Sequence, residues 1–346
     1  MVILLLGDPE GHEGLLSRHL HSRGITCAIF DVENVTLHPA TLGLRGGRPE
    51  GVLETTAGPV DLASVTCVWS GVSLPRIHAS GMDLGHELLA MEEWSSFVAN
   101  LFYLTRSTLW VNPLDVGRRS GHKLYAASVA ASLGLATPDS LVTSDPARIA
   151  PFLAAHRDEL ALKVLTHRSF TTRLEGVDWV VWTNRITAQD PRLKNLDFAR
   201  ISPVFLQAYI RKRSEIRAYV VGNRVFAAEI FSQEQPETAV DWRRYPTVPS
   251  ADGPRADPVR WRCAPITLTE ELSGRLVALA SRLGLRYSAM DLIRSEEGGY
   301  VFLEANDGGA WGWIEEQTKH PITEAVVDLL IQTSGPESSP STLPRP

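Results

Sequence analysis

The sequence predicts a mixed α/β (α+β) chain, on three observations. The opening reads strand–helix–strand: the apolar VILLL (2–6), a helical pattern through His19 and His21, then ITCAIF (25–30) ending at Asp31. Such a start implies a parallel sheet with helices on its faces. In the middle, the short apolar strands SLVTS and LALKVL alternate with the helical patterns LYAASVAASLGL and PARIAPFLAAH. Late in the chain come two hairpins, IRAYVV-GN-RVFAAEIF and YSAMDLIRSEEGGYVFLEAN, whose turn glycines suit the positive φ of tight connections. These stretches divide the chain into an N-terminal α/β domain (1–115), a central subdomain (116–202), a C-terminal subdomain (203–332) and a disordered tail (333–346).

Taken in order, the first turn GDPEGHEG has glycines without the GxGxxG spacing, so no dinucleotide site is expected there. TCVW (66–69) reads as a further strand. Residues 84–105 carry apolar side chains at helical spacing, and Trp94, Phe97, Phe102 and Tyr103 are expected in the core. LWVNPLD is a strand ending in a turn, where the first boundary falls. Ser120-Gly121-His122-Lys123 leads the next helix, which stops at Gly134. THRSFTTR reads as a polar loop, WVVWTNRIT and PVFLQAYI as strands, and RKRSE as a charged run beyond them. Asp241-Trp242-Arg243-Arg244 opens a Pro- and Gly-rich loop over 246–258. A helix over 269–283 leads into the last hairpin, and PITEAVVDLLIQT is the final helix.

Composition narrows the classes. Hydrophobic content of 44% and charged content of 21% are those of a soluble globular protein. A net charge of −6 argues against a general nucleic-acid or anionic-membrane binder. Three cysteines, far apart and without a CxxC pair, suggest neither a disulfide framework nor a zinc knuckle. The apolar opening is short and lacks a basic region, so no signal peptide is expected, and a cytoplasmic setting follows.

The chemistry concentrates in the last hairpin. Alternation puts Glu304 and Asn306 on one face of the second strand, with Leu303 and Ala305 on the other. Asp291 sits on the partner strand, opposite or diagonal to Glu304. Three hard oxygen donors at one end of a ribbon suit Mg²⁺, which takes one or two carboxylates plus substrate phosphate oxygens; the alternative is a solvated hairpin. Lys163 lies inside an apolar strand, where it either meets an anion or snorkels from an edge strand. Arg211, Lys212, Arg213 and Arg217 gather positive charge. Arg211 and Arg213 are either functional or a solvated face, whereas Arg217 follows Ile216 at the mouth of a strand.

A nucleotide site built from strand lysines and a carboxylate hairpin, with no Walker A sequence, resembles the ATP-grasp superfamily. The resemblance covers about residues 115–332 and implies an ATP-grasp fold behind an N-terminal α/β pre-ATP-grasp domain. Lys123, ahead of the small-residue helix, resembles the first nucleotide-binding lysine, and Lys163 in ALKVL the second, which reaches the phosphates. Gln207, Tyr209 and Ile210 resemble the hinge that holds the adenine. Arg217 resembles an arginine near phosphate and acyl-phosphate, and Asp291, Glu304 and Asn306 the magnesium ligands. VWSG, KRSEIRAYVVGNRVFAAEIFSQ with the following DWR, and EANDGGAWGWIEEQTKHPITEAVVDLL are most similar to the graspetide (microviridin-type) ligases that mature ribosomal peptides. Asp307 stands where that family has a proline, and HRSFTTR lacks the family's glycine-rich phosphate loop.

The resemblance implies an enzyme that uses ATP and Mg²⁺ to activate Asp or Glu side chains of a precursor peptide as acyl-phosphates. A Ser or Thr hydroxyl or a Lys amine then closes a macrocyclic ester or amide. Arg213 and Arg243 are candidates to hold the acceptor carboxylate, with surface charge as the alternative. It also implies a leader-bearing precursor, docked near hairpin 216–231 or the loop after it, and a homodimer. Two readings compete: a ligase of small molecules or amino acids, of the glutathione-synthetase or RimK-like kind, and a non-catalytic peptide-binding scaffold.

Overall fold

A computed structural model describes residues 2–32, 34–35, 38–71, 83–105, 108–165, 171–174, 177–180, 182–244, 247–248, 255–256 and 262–333. Most of the expected loop over 246–258 and all but the first residue of the expected tail over 333–346 lie outside these residues. So does part of the loop HRSFTTR.

The N-terminal unit is a parallel sheet. Strands β1 (Val2–Gly7), β2 (Cys27–Asp31), β3 (Val65–Ser70) and β4 (Leu109–Val111) lie in the order β2-β1-β3-β4, with helices α1 (His12–Ser22) and α2 (Leu84–Leu104) between them in sequence. Ile3, Leu4, Leu5 and Leu6 are all essentially inaccessible, as a central parallel strand covered on both faces must be. On α2, Phe102 is buried and Trp94 and Phe97 pack against the same core. Tyr103 is 57% exposed, against expectation. It sits one residue, about 100°, off the core stripe, which the other three share. Three strands over 40–61 form an unexpected antiparallel sheet between β2 and β3.

The central unit holds helix α3 (Lys123–Ser132) and strands β5 (Ser140–Thr143), β6 (Glu159–Lys163), β7 (Asn184–Thr187) and β8 (Val204–Ala208), ordered β7-β6-β8-β5 and antiparallel throughout. WVVWTNRIT supplies two strands rather than one: Val177–Val180 pairs with Thr171–Leu174, while β7 pairs with β6.

Strands β9 (Lys212–Val221), β10 (Arg224–Ile230), β11 (Cys263–Ile266), β12 (Tyr287–Ser295) and β13 (Tyr300–Asn306) make the C-terminal sheet, ordered β11-β10-β9-β12-β13. The charged run RKRSE belongs to β9 from Lys212 onward, because Lys212 and Glu215 bury their charges on each other, Nζ to Oε1 at 2.5 Å. One face of the sheet packs Ile216, Ala218, Val220, Met290, Leu292, Phe302 and Ala305 on helix α4 (Glu270–Leu283). That helix starts at Thr269, whose Oγ1 accepts the Leu272 N–H at 3.2 Å, and ends at Gly284 in the left-handed conformation, φ 80°. The other face meets the N-terminal sheet: Tyr219, Val221, Tyr287 and Ala289 share a core with Ile3, Leu5, Trp69, Trp311 and helix α6 (Ile322–Thr333), which follows α5 (Gly312–Thr318). Among the described residues, no helix is long and apolar enough to cross a membrane.

Candidate active site

The site lies on the sheet face turned to the N-terminal unit. Antiparallel register pairs Asp291 directly with Glu304, Arg217 with Asp291, and Ala289 with Asn306, so alternation brings Arg217, Asp291, Glu304 and Asn306 to one face. A β-bulge makes this possible. Asp291 faces Glu304 and the next residue, Leu292, faces Phe302, so Leu303 has no partner. The extra residue re-phases the strand and turns Phe302 and Ala305 into the core while Glu304 faces the site. Strict alternation had assigned the core position to Leu303, which is only half-buried.

Arg217 and Asp291 form a buried ion pair, Nη1 at 2.8 Å from both Oδ1 and Oδ2. Arg217 Nε lies 3.5 Å from the Tyr219 hydroxyl, which donates to the Ala310 carbonyl at 2.7 Å. Gly309 closes against this pair; a Cβ there would stand 2.4 Å from Arg217 Nη2, so only glycine admits the guanidinium. Asn306 Nδ2 is 3.4 Å from Asp291 Oδ2.

Lysines approach from the central unit. Lys123, at the start of α3, donates to the Val164 carbonyl at 2.8 Å and lies 3.7 Å from Glu304 Oε2. Lys163 ends β6, which is flanked on both sides by β7 and β8 and is therefore not an edge strand. Among the described residues its ammonium has no hydrogen-bond or salt-bridge partner, and desolvation pushes its pKa down despite the nearby Glu304. Arg243 is held by Asp241 through Nε–Oδ1 and Nη2–Oδ2 contacts of 2.8 Å each. Asp241 is buried and also accepts the Thr183 N–H at 3.1 Å; burial alone would raise its pKa, but these donors bring it down to about 2.

The two neighbouring carboxylates respond in opposite directions. Burial, aided by Glu304, raises the Asp291 pKa against the pull of Arg217. For Glu304, burial is outweighed by Lys123, Lys163, Arg243 and Arg217, and its pKa falls. Lys123, Lys163, Arg217 and Arg243 thus converge on Asp291, Glu304 and Asp241, a surplus of positive charge that suits a polyphosphate.

Of the remaining residues singled out in sequence, Gln207 is buried and donates to Ser140 Oγ at 3.0 Å. Tyr209 and Ile210 connect β8 to β9, and Arg185 lies over the Tyr209 ring at 5.0 Å. Arg213 is exposed and donates to the Glu296 carbonyl at 2.6 Å, at the hairpin turn; the structure does not bring it to the cluster. Sequence reasoning missed Asn112. Its amide donates to the carbonyls of Tyr287 and Asp307 and accepts the N–H groups of Arg286 and Tyr287, all within 3.1 Å, tying the end of β4 to both sides of the hairpin. It missed Tyr219 and the anchoring role of Asp241 as well, although DWR was visible as a motif.

The donor set fits Mg²⁺. It offers two carboxylates and one amide, short of an all-protein cage but enough when phosphate oxygens complete the sphere. Asp291 Oδ1 accepts one bond from Arg217 and keeps a second lone pair.

No protein-family model matches the chain. Among solved structures it resembles the macrocyclase MdnC of Microcystis aeruginosa MRC, bound to precursor peptide MdnA (23% identity, TM-score 0.80, 96% of this chain and 100% of that one). It also resembles a RiPP-associated ATP-grasp ligase of Chryseobacterium gregarium, solved with ADP and a leader and core peptide (25%, 0.79, 96% and 96%). A third is the ATP-grasp ligase PsnB with a phosphomimetic variant of its minimal precursor, Mg and ADP (21%, 0.72, 96% and 98%). A curated relative, a probable alpha-L-glutamate ligase of a Picosynechococcus strain, is 30% identical over 135 residues; the match covers 38% of this chain and only 40% of that protein. The chain has the ATP-grasp fold behind an N-terminal α/β unit, and over nearly its whole length it resembles this macrocyclase and these ATP-grasp ligases.

Proposed function

We propose that this chain is an ATP-dependent ligase that activates Asp or Glu side chains of a leader-bearing precursor peptide and closes macrocyclic esters or amides. The carrying observation is the pairing of Asp291 with Glu304 beneath four converging cations, one of them, Lys163, without a partner among the described residues. Lys123 and Lys163 hold the phosphates, with Gln207, Tyr209 and Ile210 at the adenine. Arg217 steadies the transferred phosphoryl group and the acyl-phosphate it leaves. Arg243, kept in place by Asp241, receives the acceptor carboxylate. Asp291, Glu304 and Asn306 would hold Mg²⁺, which would supply charge neutralisation at the phosphates. Phosphoryl transfer asks for alignment and charge neutralisation more than covalent help, and these residues supply both. The leader docks near hairpin 216–231, the working unit is a homodimer and the setting is cytoplasmic.

The resemblance to the glutamate ligase supports a second reading, a ligase of free amino acids. One experiment separates them: mass spectrometry of the precursor peptide encoded beside the gene, after incubation with the protein, ATP and Mg²⁺. ATP-dependent loss of one water per ring is expected. An unchanged peptide, with ATP hydrolysis stimulated by free amino acids, moves the assignment to the second reading. Neither signal leaves a peptide-binding scaffold.

A further inference from the structure

Resting on the ligase reading, the geometry points to Glu13 as the base that takes the proton from the attacking hydroxyl or amine, in a cavity between the N-terminal sheet and the loop 307–311. Among the described residues, no carboxylate of the site above is free to do this: Asp291, Glu304 and Asp241 each face a cation.

The cavity has a volume of about 210 Å³ and is lined by Asp8, His12, Glu13, Trp69, Gly308 and Ala310, together with Gly7 and Gly71. It adjoins the phosphate site through one stretch of backbone. Gly308 and Ala310 line it, and Gly309 between them lies against Arg217. The loop is pinned from the sheet side, since Tyr219 donates to the Ala310 carbonyl and Tyr287 to that of Gly309. The loop 307–311 is therefore a wall shared by the cavity and the Arg217 site.

Glu13 is 6% exposed, in the first turn of α1. Its Oε1 accepts the indole N–H of Trp69 at 2.9 Å. The backbone packs tightly against this carboxyl group: a Cβ on Gly7 would stand 2.3 Å from its carbon, and one on Gly71 2.3 Å from Oε1, so glycine at both positions makes room for it. Side chains are absent on both flanks of one buried acid. Burial drives its pKa up against the hydrogen bonds from Trp69 and the backbone, toward the range where a carboxylate accepts protons effectively. His12 is not the base. Its Nε2 already accepts the N–H groups of Trp311 and Gly312 at 3.1 and 3.0 Å, and burial keeps it neutral. Asp8 Oδ1 accepts the Glu10 N–H at 2.9 Å in a more exposed position.

In the step assigned to Glu13, the nucleophile's oxygen or nitrogen bonds to the acyl carbon and its proton passes to the Glu13 carboxylate. The bond from that carbon to the phosphate oxygen breaks, phosphate leaves with the electron pair, and Glu13 returns its proton to solvent. Activation by ATP does not involve Glu13; only closure does.

The test uses the full-length protein, the precursor peptide encoded beside the gene, ATP and Mg²⁺, with and without hydroxylamine, which traps acyl-phosphates without needing a base. Glu13→Gln should still release ADP and yield the trapped hydroxamate while ring closure slows by about 10²-fold or more. The acid limb of the wild-type closure profile should also vanish in the variant. Closure at the wild-type rate would overturn the assignment. Loss of trapping and closure together in a folded variant would make Glu13 structural and overturn it equally. A wild-type protein that gives neither hydroxamate nor rings refutes the ligase reading itself, and this inference with it.

Discussion

The C-terminal sheet presents two faces made by the same strands and loaded in opposite ways. On β9, Ile216, Ala218 and Val220 point to α4, while Arg217 and Tyr219 point to the N-terminal sheet. On β12 the contrast is Met290 and Leu292 against Asp291. Both faces are buried, but by different means. Hydrocarbon on one side gains from leaving water. Charge on the other is tolerated because each group faces an opposite one, and a buried ion pair of this kind roughly offsets its own desolvation. The apolar face therefore holds the sheet together, and the charged face is kept for something other than stability.

Substitutions on the two faces should separate these roles. Phe302→Ala, a fully buried ring against α4, should cost about 3–5 kcal/mol in denaturant unfolding. Glu304→Gln, two residues on and facing the site, keeps the shape and removes the charge. It should lower ATP turnover by about 10²-fold, on the order of 3 kcal/mol in barrier, with a far smaller shift in unfolding midpoint. A Glu304→Gln variant that turns over ATP normally, or one that unfolds as readily as Phe302→Ala, would break the division of labour.

The same contrast explains what sequence alone reveals. Alternation and the turn glycines were enough to place Asp291 opposite or diagonal to Glu304, because a hairpin is a local object, and the register makes it opposite. The bulge at Leu303 was invisible: nothing in YVFLEAN marks which residue drops out of register, and a slip of one exchanges the faces. Lys163 could be put on a strand but not inside a sheet, since its neighbours β7 and β8 come from later in the chain. Asn112 reads as a turn residue after a strand, and its partners near Tyr287 lie 175 positions away. The sheet over 40–61 escaped because its strands are half exposed and glycine-punctuated.

Asp241 tests the charged face through pH. Its pKa of about 2 lies below the ordinary 3.8, so the ionised form is favoured in the folded protein. The resulting stability is present above pH 4 and is lost as pH falls toward 2, at about 2 kcal/mol in all. Asp241→Asn should remove most of that acid sensitivity and loosen Arg243, read as unfolding midpoints at pH 6 and pH 3. Equal slopes in the wild type and the variant would mean that Arg243 and the Thr183 N–H contribute nothing to holding this carboxylate.

The smallest effect is the most discriminating. Lys163 is half-buried, pushed down in pKa and unpartnered among the described residues, which is costly for a lysine unless an anion arrives. Lys163→Ala should weaken ATP binding by about tenfold in calorimetry, near 1.4 kcal/mol. Alanine removes both the ammonium and its apolar stem, so Lys163→Met decides between them. Methionine keeps the stem and lacks the charge. If both variants weaken binding alike, the ammonium meets phosphate, and the charged face extends from the sheet into the central unit. If only alanine does, the stem was packing and the ammonium merely reaches for water. If neither does, the cations that converge on Glu304 act without Lys163, and the polyphosphate is held by Lys123, Arg217 and Arg243 alone.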